Sequence, residues 1–514
     1  MLGIYNMYEE TIKLFSSRTF IVDDKQYFSY AEMGRLTNRL AYGLHCSGIK
    51  EGSNVGYLMM NGYRTVMCFF ALQKLGAFMT PFNFRFHVKE IDTYISKMDC
   101  EYFIYGSEFN DIIAEVRPNH PDVTWIAVDD EAADLHWDSL LDNKKENWEY
   151  CPDLPGDSPA MAILTGGSTG CSKAAVHTRF SLVMNYLSLE GWIYTREPVH
   201  KPKTFLMTSP LFHVGGISPM LNVVCFGGTL VFLGQFSIEN IAAMIQREKV
   251  TDLMLIPPNL AQSIKNVGID KNYDLSSVEY VGFGGGAASA AHVGIVFDVF
   301  PNAVCELTYS QSEGASYLSN YLTKQSLIDN PQRALATGKP VYFCDMKLIK
   351  EDGSEAGIGE IGELYGRCAC MMQEYYKQEN SPFINGWLPT GDLFRRDEDN
   401  YYYFADRKKD MIKSGGENVF SAEVEAVIKL MPQVSEVAVV GMPDRFFGEA
   451  VSAAIVVKPG YTLSSKEVTD YCKSHIASYK KPRNIYFMPS LPKTPIGKVH
   501  KITLKELLIG RKSD

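Results

Sequence analysis

The residues best suited to chemistry lie in two glycine-rich runs and several charged motifs. Gly166-Gly-Ser-Thr-Gly-Cys-Ser-Lys173 follows the apolar run Met161-Ala-Ile-Leu-Thr165. Its small residues Gly166, Gly167, Ser168, Thr169 and Gly170 let successive backbone N–H groups close on an anion. The hydroxyls of Thr165, Ser168 and Thr169 add donors, and Lys173 adds charge. This composition suits a phosphate. It is not a Walker A loop, because Lys173 does not directly follow the last glycine, Gly170. A flexible surface turn shares the composition, but a position right after a buried strand argues against it. The second run, Gly282-Phe-Gly-Gly-Gly-Ala287, follows a predicted strand at 278–281 and fits G-x-G-x-x-A. Glu306 lies near where a ribose-binding acid would be sought. A dinucleotide site, and with it a nicotinamide-dependent oxidoreductase, therefore stays open. Glycines there would equally let the backbone approach another element.

These loops need elements to hold them, and the hydrophobic pattern supplies them. Residues 54–60 predict a buried strand, 63–75 a helix with Gly76 just past its end, and 77–81 the next strand. A β-α-β unit implies parallel sheet covered by helices. The pattern recurs with a strand at 228–233, a helix at 237–249 capped by Ser237, and a strand at 252–256. From residue 345 the style changes. Segments 345–354, 363–366 and 401–404 predict an antiparallel β subdomain with an Asp-Gly turn. The charged segment Asp406-Arg-Lys-Lys-Asp410 then precedes a Gly-Gly loop. Beyond it come a helix at 421–430, strands at 434–440 and 451–458, and a helix at 464–475. The fold class is therefore α/β. A large N-terminal domain of β-α-β parallel-type sheets plus the antiparallel subdomain covers 1–408. A small α+β C-terminal domain covers 409–514, with the boundary near 406–410.

Composition narrows the function classes. The 514 residues carry a net charge of −10 and are 46% hydrophobic, which excludes disorder as the main description. A net-negative chain is a poor nucleic-acid binder, although a local basic groove for a phosphorylated small molecule is compatible with it. The first residues have no basic region ahead of an apolar stretch, so no signal peptide is expected. The most apolar stretch, 67–82, is interrupted by Gln73 and Lys74, so no membrane span is expected. The termini match no myristoylation or prenylation motif. The 11 cysteines are scattered, and the closest pair, Cys368 and Cys370, has no second pair near it. That spacing does not predict a zinc site. It does suit a reducing cytosol and hence a cytoplasmic protein. A homodimer is left open.

Taken together, the motifs resemble the adenylate-forming superfamily, and within it the acyl- and aryl-CoA synthetase branch. The resemblance covers nearly the whole chain and rests on several motifs in the expected order. Thr165 to Lys173 is similar to that family's Thr/Ser/Gly-rich phosphate loop. Tyr309-Ser-Gln-Ser-Glu313 is similar to its Tyr-Gly-x-Thr-Glu motif, and Trp387-Leu-Pro-Thr-Gly-Asp392 to its Thr-Gly-Asp motif. Asp406-Arg-Lys-Lys-Asp-Met-Ile-Lys-Ser-Gly-Gly416 resembles the hinge motif, and Pro492-Lys-Thr-Pro-Ile-Gly-Lys498 the C-terminal Pro-x-x-x-x-Gly-Lys.

The resemblance implies roles. Glu313 would bind Mg2+, because a hard cation takes carboxylate oxygen. Tyr309 would lie against adenine, within a nucleotide-binding set of Gly285, Gly286, Ala287, Leu307, Thr308, Ser310, Gln311 and Ser312. Asp392 and Arg407 would hold the ribose. Lys498 would stabilise negative charge between the carboxylate and the α-phosphate. Lys409 would be the hinge of a mobile C-terminal domain, Gly415 and Gly416 would line a pantetheine tunnel, and Lys413 would reach the adenylate. Taken singly, Glu313 could equally be a helix N-terminal acid and Arg407 to Lys413 a solvated charge run.

The implied reaction is ATP-dependent acyl-CoA synthesis. A carboxylate attacks the α-phosphate to give an acyl-adenylate and pyrophosphate, and coenzyme A then displaces AMP. ATP, Mg2+ and coenzyme A are the implied cofactors and co-substrates. A carrier-protein thiol is the alternative acceptor. Pro210-Leu-Phe-His213-Val-Gly-Gly216 has the form of the acyl- and aryl-CoA synthetase motif, with His213 where amino-acid-activating members place Asp. The acyl pocket implied by the resemblance involves Phe212, His213, Val214, Gly215, Phe283, Gly284, Gly285 and Gln311, with His213 counted among the catalytic residues. Three glycines at 284–286 leave room for an aryl, alicyclic or medium-chain group.

Overall fold

The first β-α-β unit forms as its pattern predicts. In the computed structural model the strands Asn54–Leu58 and Phe78–Pro81 pair in parallel, and the helix Tyr63–Leu75 connects them. The described residues are 3–165, 173–194, 202–255, 260–284, 290–494, 498–511 and 513. Gly76 stops the helix at φ +71°, a left-handed cap that glycine adopts without strain. Every side chain from Thr65 to Leu75 is buried, so the helix lies inside the protein. That includes Lys74, whose ammonium donates to the Tyr5 hydroxyl at 2.9 Å and lies 3.6 Å from Glu9. The polar pair that breaks the apolar stretch is thus buried and partnered. The second unit also forms, with Thr229–Phe232, Ile238–Glu248 and Asp252–Met254. Ser237 caps its helix by accepting the Asn240 N–H at 3.1 Å.

The chain separates into two compact units. The first gathers the described residues up to Asp345 with Arg367–Pro382. It holds two large sheets. In one, Val304–Gln311, Tyr280–Phe283, Asp252–Met254, Thr204–Leu206, Thr229–Phe232 and Thr19–Asp23 run parallel in that order. Ala315–Leu322 returns antiparallel beside Val304–Gln311 and makes a hairpin. In the other, Pro159–Leu164, Phe78–Pro81, Asn54–Leu58, Tyr102–Tyr105 and Thr124–Ala127 run parallel. Ala174–Thr178 is antiparallel to Pro159–Leu164, and Glu374–Tyr375 pairs with it at the edge. One apolar cluster joins the two sheets. It includes Ile21 and Leu230 from the first, Val55 and Met79 from the second, and Phe69 and Phe70 from the buried helix.

The second unit comprises 346–366 and Phe383–Asp514. Leu388–Arg396 pairs antiparallel with Ile361–Cys368 on one side and Tyr402–Arg407 on the other, which is the expected antiparallel subdomain. The expected α+β elements follow as Ser421–Lys429, Val434–Asp444, Gly448–Val457 and Ser465–His475. Ser464 and Glu467 form a reciprocal capping box at the helix Ser465–His475. Residues 406–410 lie inside this unit. No helix among the described residues is long and apolar enough to cross a membrane.

Two expectations are corrected here. The strand predicted at 278–281 is Tyr280–Phe283, so Gly282 lies within the strand and not in a loop. A Cβ at Gly282 would overlap the Met254 sulfur on the neighbouring strand. Its glycine serves close strand packing, not an anion turn. Glu306 is fully buried and accepts hydrogen bonds from the Tyr280 and Ser319 hydroxyls. A carboxylate engaged in this way does not face a ribose. The dinucleotide reading thereby loses its first glycine and its acid.

Candidate active site

In the first unit the site is built on a β-hairpin. Leu307, Thr308, Tyr309, Ser310 and Gln311 lie on Val304–Gln311, and Ser312 and Glu313 form the turn before Ala315–Leu322. Glu313 is therefore a hairpin-turn acid, and the helix-terminus alternative does not hold. The turn is pinned from below. The imidazole Nε2 of the fully buried His177 bonds to the Ser312 carbonyl at 2.7 Å, and the Met372 N–H donates to the Glu313 carbonyl at 2.7 Å. Burial holds the His177 imidazole below its ordinary value, opposed by the Ser312 bond, so the ring stays neutral near pH 7.

Tyr375 then orients the carboxylate. Its hydroxyl donates to Glu313 Oε1 at 2.8 Å, while the Lys173 ammonium sits 4.4 Å from the Tyr375 ring centroid. Burial, and next the Glu313 charge, push the Tyr375 phenol far above its ordinary value, so it remains a donor. Lys173 is placed by the strand pair Pro159–Leu164 and Ala174–Thr178, where the Thr165 N–H donates to the Lys173 carbonyl at 2.8 Å. A carboxylate and an ammonium thus lie on one tyrosine, the ammonium being that of Lys173, which ends the predicted phosphate loop. The loop residues Gly166, Gly167, Ser168, Thr169 and Gly170 lie outside the described residues, as do Gly285, Gly286 and Ala287. The donor set fits magnesium. A single oriented carboxylate is what Mg2+ uses when phosphates and water complete its shell. Tyr375 and His177 escaped the sequence reading because nothing in their local spacing marks them. Only the sheet edge at Glu374–Tyr375 brings Tyr375 to Glu313.

Replacing Tyr375 by Phe removes one hydroxyl and keeps the ring under Lys173. Loss of an orienting partner of a metal ligand costs about 10–100-fold. Pyrophosphate release by Tyr375→Phe, titrated against Mg2+, is expected to need more Mg2+ for half-maximal rate. An unchanged Mg2+ dependence would remove Tyr375 from the site.

The acyl motif forms a second group in this unit. His213 is the N-cap of the helix Val214–Cys225, and its Nδ1 accepts the Gly215 N–H at 3.1 Å. The neutral ring then carries its proton on Nε2. Neutrality also suits a helix N-terminus, where the backbone dipoles disfavour a cation. Gly216 allows this cap, since a Cβ there would overlap the Pro210 carbonyl. Asn61 holds the preceding loop by donating to the Ser209 carbonyl and accepting from the Leu211 N–H, both at 2.8 Å. Phe212 is buried edge-on against Phe84, with centroids 4.9 Å apart. Val214 is buried at the helix start and Gly215 follows it. Asn61 and Phe84 have no sequence signal for this role. The Phe283 ring, assigned to the acyl pocket by sequence, belongs to the buried apolar cluster with Val281 and Leu307. Gly284 is buried at the end of that strand.

The second unit carries the ribose-type pair. Asp392 and Arg407 are direct cross-strand partners, with the Arg407 Nε 3.7 Å from Asp392 Oδ1. Asp392 is buried and Arg407 is exposed. The irregular strand segment Thr390-Gly-Asp is locked by Glu363, which accepts the Gly391 N–H at 3.2 Å and the Lys408 ammonium at 2.7 Å. Gly391 has φ +74°, so glycine is required there. The charges of this pair reach Lys498 in the same unit. Crowding by protein lowers its ammonium from the usual lysine value, Arg407 adds to the shift, and Asp392 opposes it. Lys409 is lowered by the same causes in the same order, burial and then Arg407. Arg407 and Asp392 thus act electrostatically on both Lys409 and Lys498, and Asp410 also favours the charged form of Lys409. The Lys413 ammonium lies 3.4 Å from exposed Glu351. Gly415 and Gly416 form the tight turn between Ile412–Ser414 and Glu417–Val419, both at positive φ. That turn geometry demands glycine by itself.

Comparison with known proteins places the chain in a family. A family model described as AMP-binding enzyme matches residues 8–376, and its C-terminal domain model matches 423–498. The long-chain-fatty-acid–CoA ligase FadD13 of Mycobacterium tuberculosis is 31% identical over 93% of this chain and 92% of that protein. The indoleacetate–CoA ligase of Aromatoleum aromaticum is 28% identical over 96% of each. The o-succinylbenzoate-CoA synthetase of Bacillus subtilis, solved with its acyl-adenylate intermediate, superimposes with TM-score 0.85 at 25% identity over 99% of both chains. The chain belongs to the AMP-binding enzyme family of adenylate-forming enzymes.

Proposed function

We propose that this protein is an AMP-forming acid–CoA ligase acting on a carboxylic acid without an α-ammonium group. The observation that supports this reading is the cross-strand pair of Asp392 and Arg407, whose charges also act on Lys498, as a nucleotide sugar and its α-phosphate would require. Asp392 accepts the ribose hydroxyls, and Arg407 holds the same sugar from the adjacent strand. The substrate carboxylate attacks the α-phosphorus, its oxygen forms the new P–O bond, and pyrophosphate leaves. The Lys498 ammonium stabilises the charge that gathers on the carboxylate and the α-phosphate oxygens. Glu313, held by Tyr375, is the magnesium ligand. Bound there, Mg2+ supplies positive charge against the phosphate oxygens. Lys173 and the loop it ends bind the departing phosphates, and Tyr309 lies against adenine.

In the second half-reaction the thiol of coenzyme A attacks the acyl carbonyl and AMP leaves. The mobile domain turns about Lys409 between the two steps, and Gly415 and Gly416 line the path of the pantetheine arm. Lys413 reaches the adenylate after that turn. The reducing cytoplasm suits a chain whose described cysteines form no disulfide.

The acid class follows from charge. No acidic residue occurs from Ser209 to Pro219, and His213 offers no carboxylate to an ammonium. A buried unpaired ammonium there would cost several kcal/mol, more than about a thousandfold in binding. An aryl or alkyl group instead meets Phe212 and Val214, gaining about 25 cal/mol per Å² of apolar burial. ATP–pyrophosphate exchange with the twenty amino acids, benzoate, cinnamate, hexanoate and octanoate tests this. Exchange is expected with members of the second set and with no α-amino acid. Exchange with an α-amino acid alone would overturn the assignment.

A further inference from the structure

Three cysteines, two of them neighbours in sequence, meet in the first unit. The sulfurs of Cys344, Cys368 and Cys370 all lie within 4.8 Å of one another. The Cys368 and Cys370 sulfurs are 3.3 Å apart. Cys370 is fully buried, and its thiol donates to the Gly314 carbonyl at 3.0 Å, with Cys368 3.7 Å from the same oxygen. Cys344 approaches the Ser316 carbonyl at 3.7 Å. The backbone builds the cluster. Cys368 ends the strand Ile361–Cys368, Cys344 begins the neighbouring strand Cys344–Ile349, and the Ala369 N–H donates to the Phe343 carbonyl at 3.1 Å. The buried Ser188 hydroxyl lies 3.9 Å from the Cys370 sulfur, as a supporting donor. Sequence spacing hid this arrangement, because Cys368-x-Cys370 lacks a second pair and the third thiol arrives from the adjacent strand.

We propose that Cys344, Cys368 and Cys370 form a binding site for one thiophilic d10 cation of the Zn2+ class. Three thiolates about 2.3 Å from one ion stand about 3.8 Å apart, a spacing within reach of these sulfurs by small side-chain rotations. Binding exchanges three S–H protons for the ion, and an oxygen completes the tetrahedron, with the Gly314 carbonyl already beside two of the sulfurs. Softness selects the metal, since a three-sulfur set disfavours Mg2+ and Ca2+. The ion would tie the strand ends at 344 and 368 to the hairpin turn at Gly314. Binding to the folded protein alone then raises its thermal stability.

The test uses the full-length protein with its thiols kept reduced by a phosphine. Titration with Cd2+ is expected to give a sulfur-to-metal charge-transfer band saturating at one equivalent. Zn2+ should displace Cd2+, and Mg2+ should not. Cys344→Ser and Cys368→Ser should each weaken binding by about a hundredfold or more, while Cys46→Ser, at an exposed cysteine, leaves it unchanged. A measurement on the unmutated protein guards against variants that fail to fold. Zn2+ should protect the half-buried Cys344 and Cys368 from iodoacetamide, read by peptide mass spectrometry, while exposed Cys46 stays reactive. No saturating band, equal affinity in the serine variants, or an alkylation pattern indifferent to Zn2+ would each overturn the site.

Discussion

Lys498→Ala is expected to lose adenylation by about 10²–10³-fold or more, the scale of removing one preorganised donor from developing charge. The same variant should still form thioester from pre-made acyl-adenylate and coenzyme A at close to the normal rate. The selectivity follows from the proposed role, in which Lys498 meets the carboxylate and α-phosphate only in the adenylating step, with Arg407 and Asp392 acting on its charge. Its chemistry is electrostatic, so only the protonated form serves. Crowding and the Arg407 charge lower its pKa from the usual lysine value. A lowered pKa means that the ammonium is lost at lower pH as pH rises. The alkaline limb of the adenylation rate should therefore begin below the usual lysine range. In Lys498→Arg, which keeps charge at all accessible pH, that limb should move upward whatever activity remains. Equal loss of both half-reactions in Lys498→Ala would remove the assigned role.

Lys409→Pro is expected to show the opposite pattern. Adenylation, followed by pyrophosphate release, should survive, while thioester formation collapses. Lys409 lies within the turn closed by the Asp410 N–H on the Arg407 carbonyl at 2.9 Å. Proline fixes φ near −65° and also restricts Lys408 before it, so backbone rotation between the two half-reactions would be lost. A neutral control is Lys409→Ala, which removes the charge but keeps the rotation. If Lys409→Pro transfers to coenzyme A normally, the pivot lies elsewhere in the chain.

Much of this molecule is legible in its sequence, for reasons that differ by region. The helix Tyr63–Leu75 and its Gly76 stop follow from local pattern and cap chemistry, and both appear where expected. The Asp392–Arg407 pair was found through two separate motifs, and cross-strand register explains why they meet. The failures are long-range. Gly282 belongs to a strand because a neighbouring methionine needs the space, which no local signal reveals. Glu306 resembles a ligand-binding acid by spacing, yet tertiary packing buries it against two hydroxyls. Tyr375, Asn61 and the third thiol of the cysteine cluster come from sequence-distant elements, so only the sheet order shows what they touch.

The central claim is that the acid is activated on the α-phosphate. It is tested by following oxygen atoms from an acid that proves active in exchange. That acid, labelled with 18O in its carboxylate, is converted with ATP, Mg2+ and coenzyme A, and the products are weighed by mass spectrometry. Attack on the α-phosphorus leaves one carboxylate oxygen bonded to it, and thiolysis breaks the acyl C–O bond. AMP carrying one 18O atom, pyrophosphate carrying none, and acyl-CoA formed only with coenzyme A present are the expected products. ADP with labelled inorganic phosphate, or unlabelled AMP, would contradict the account.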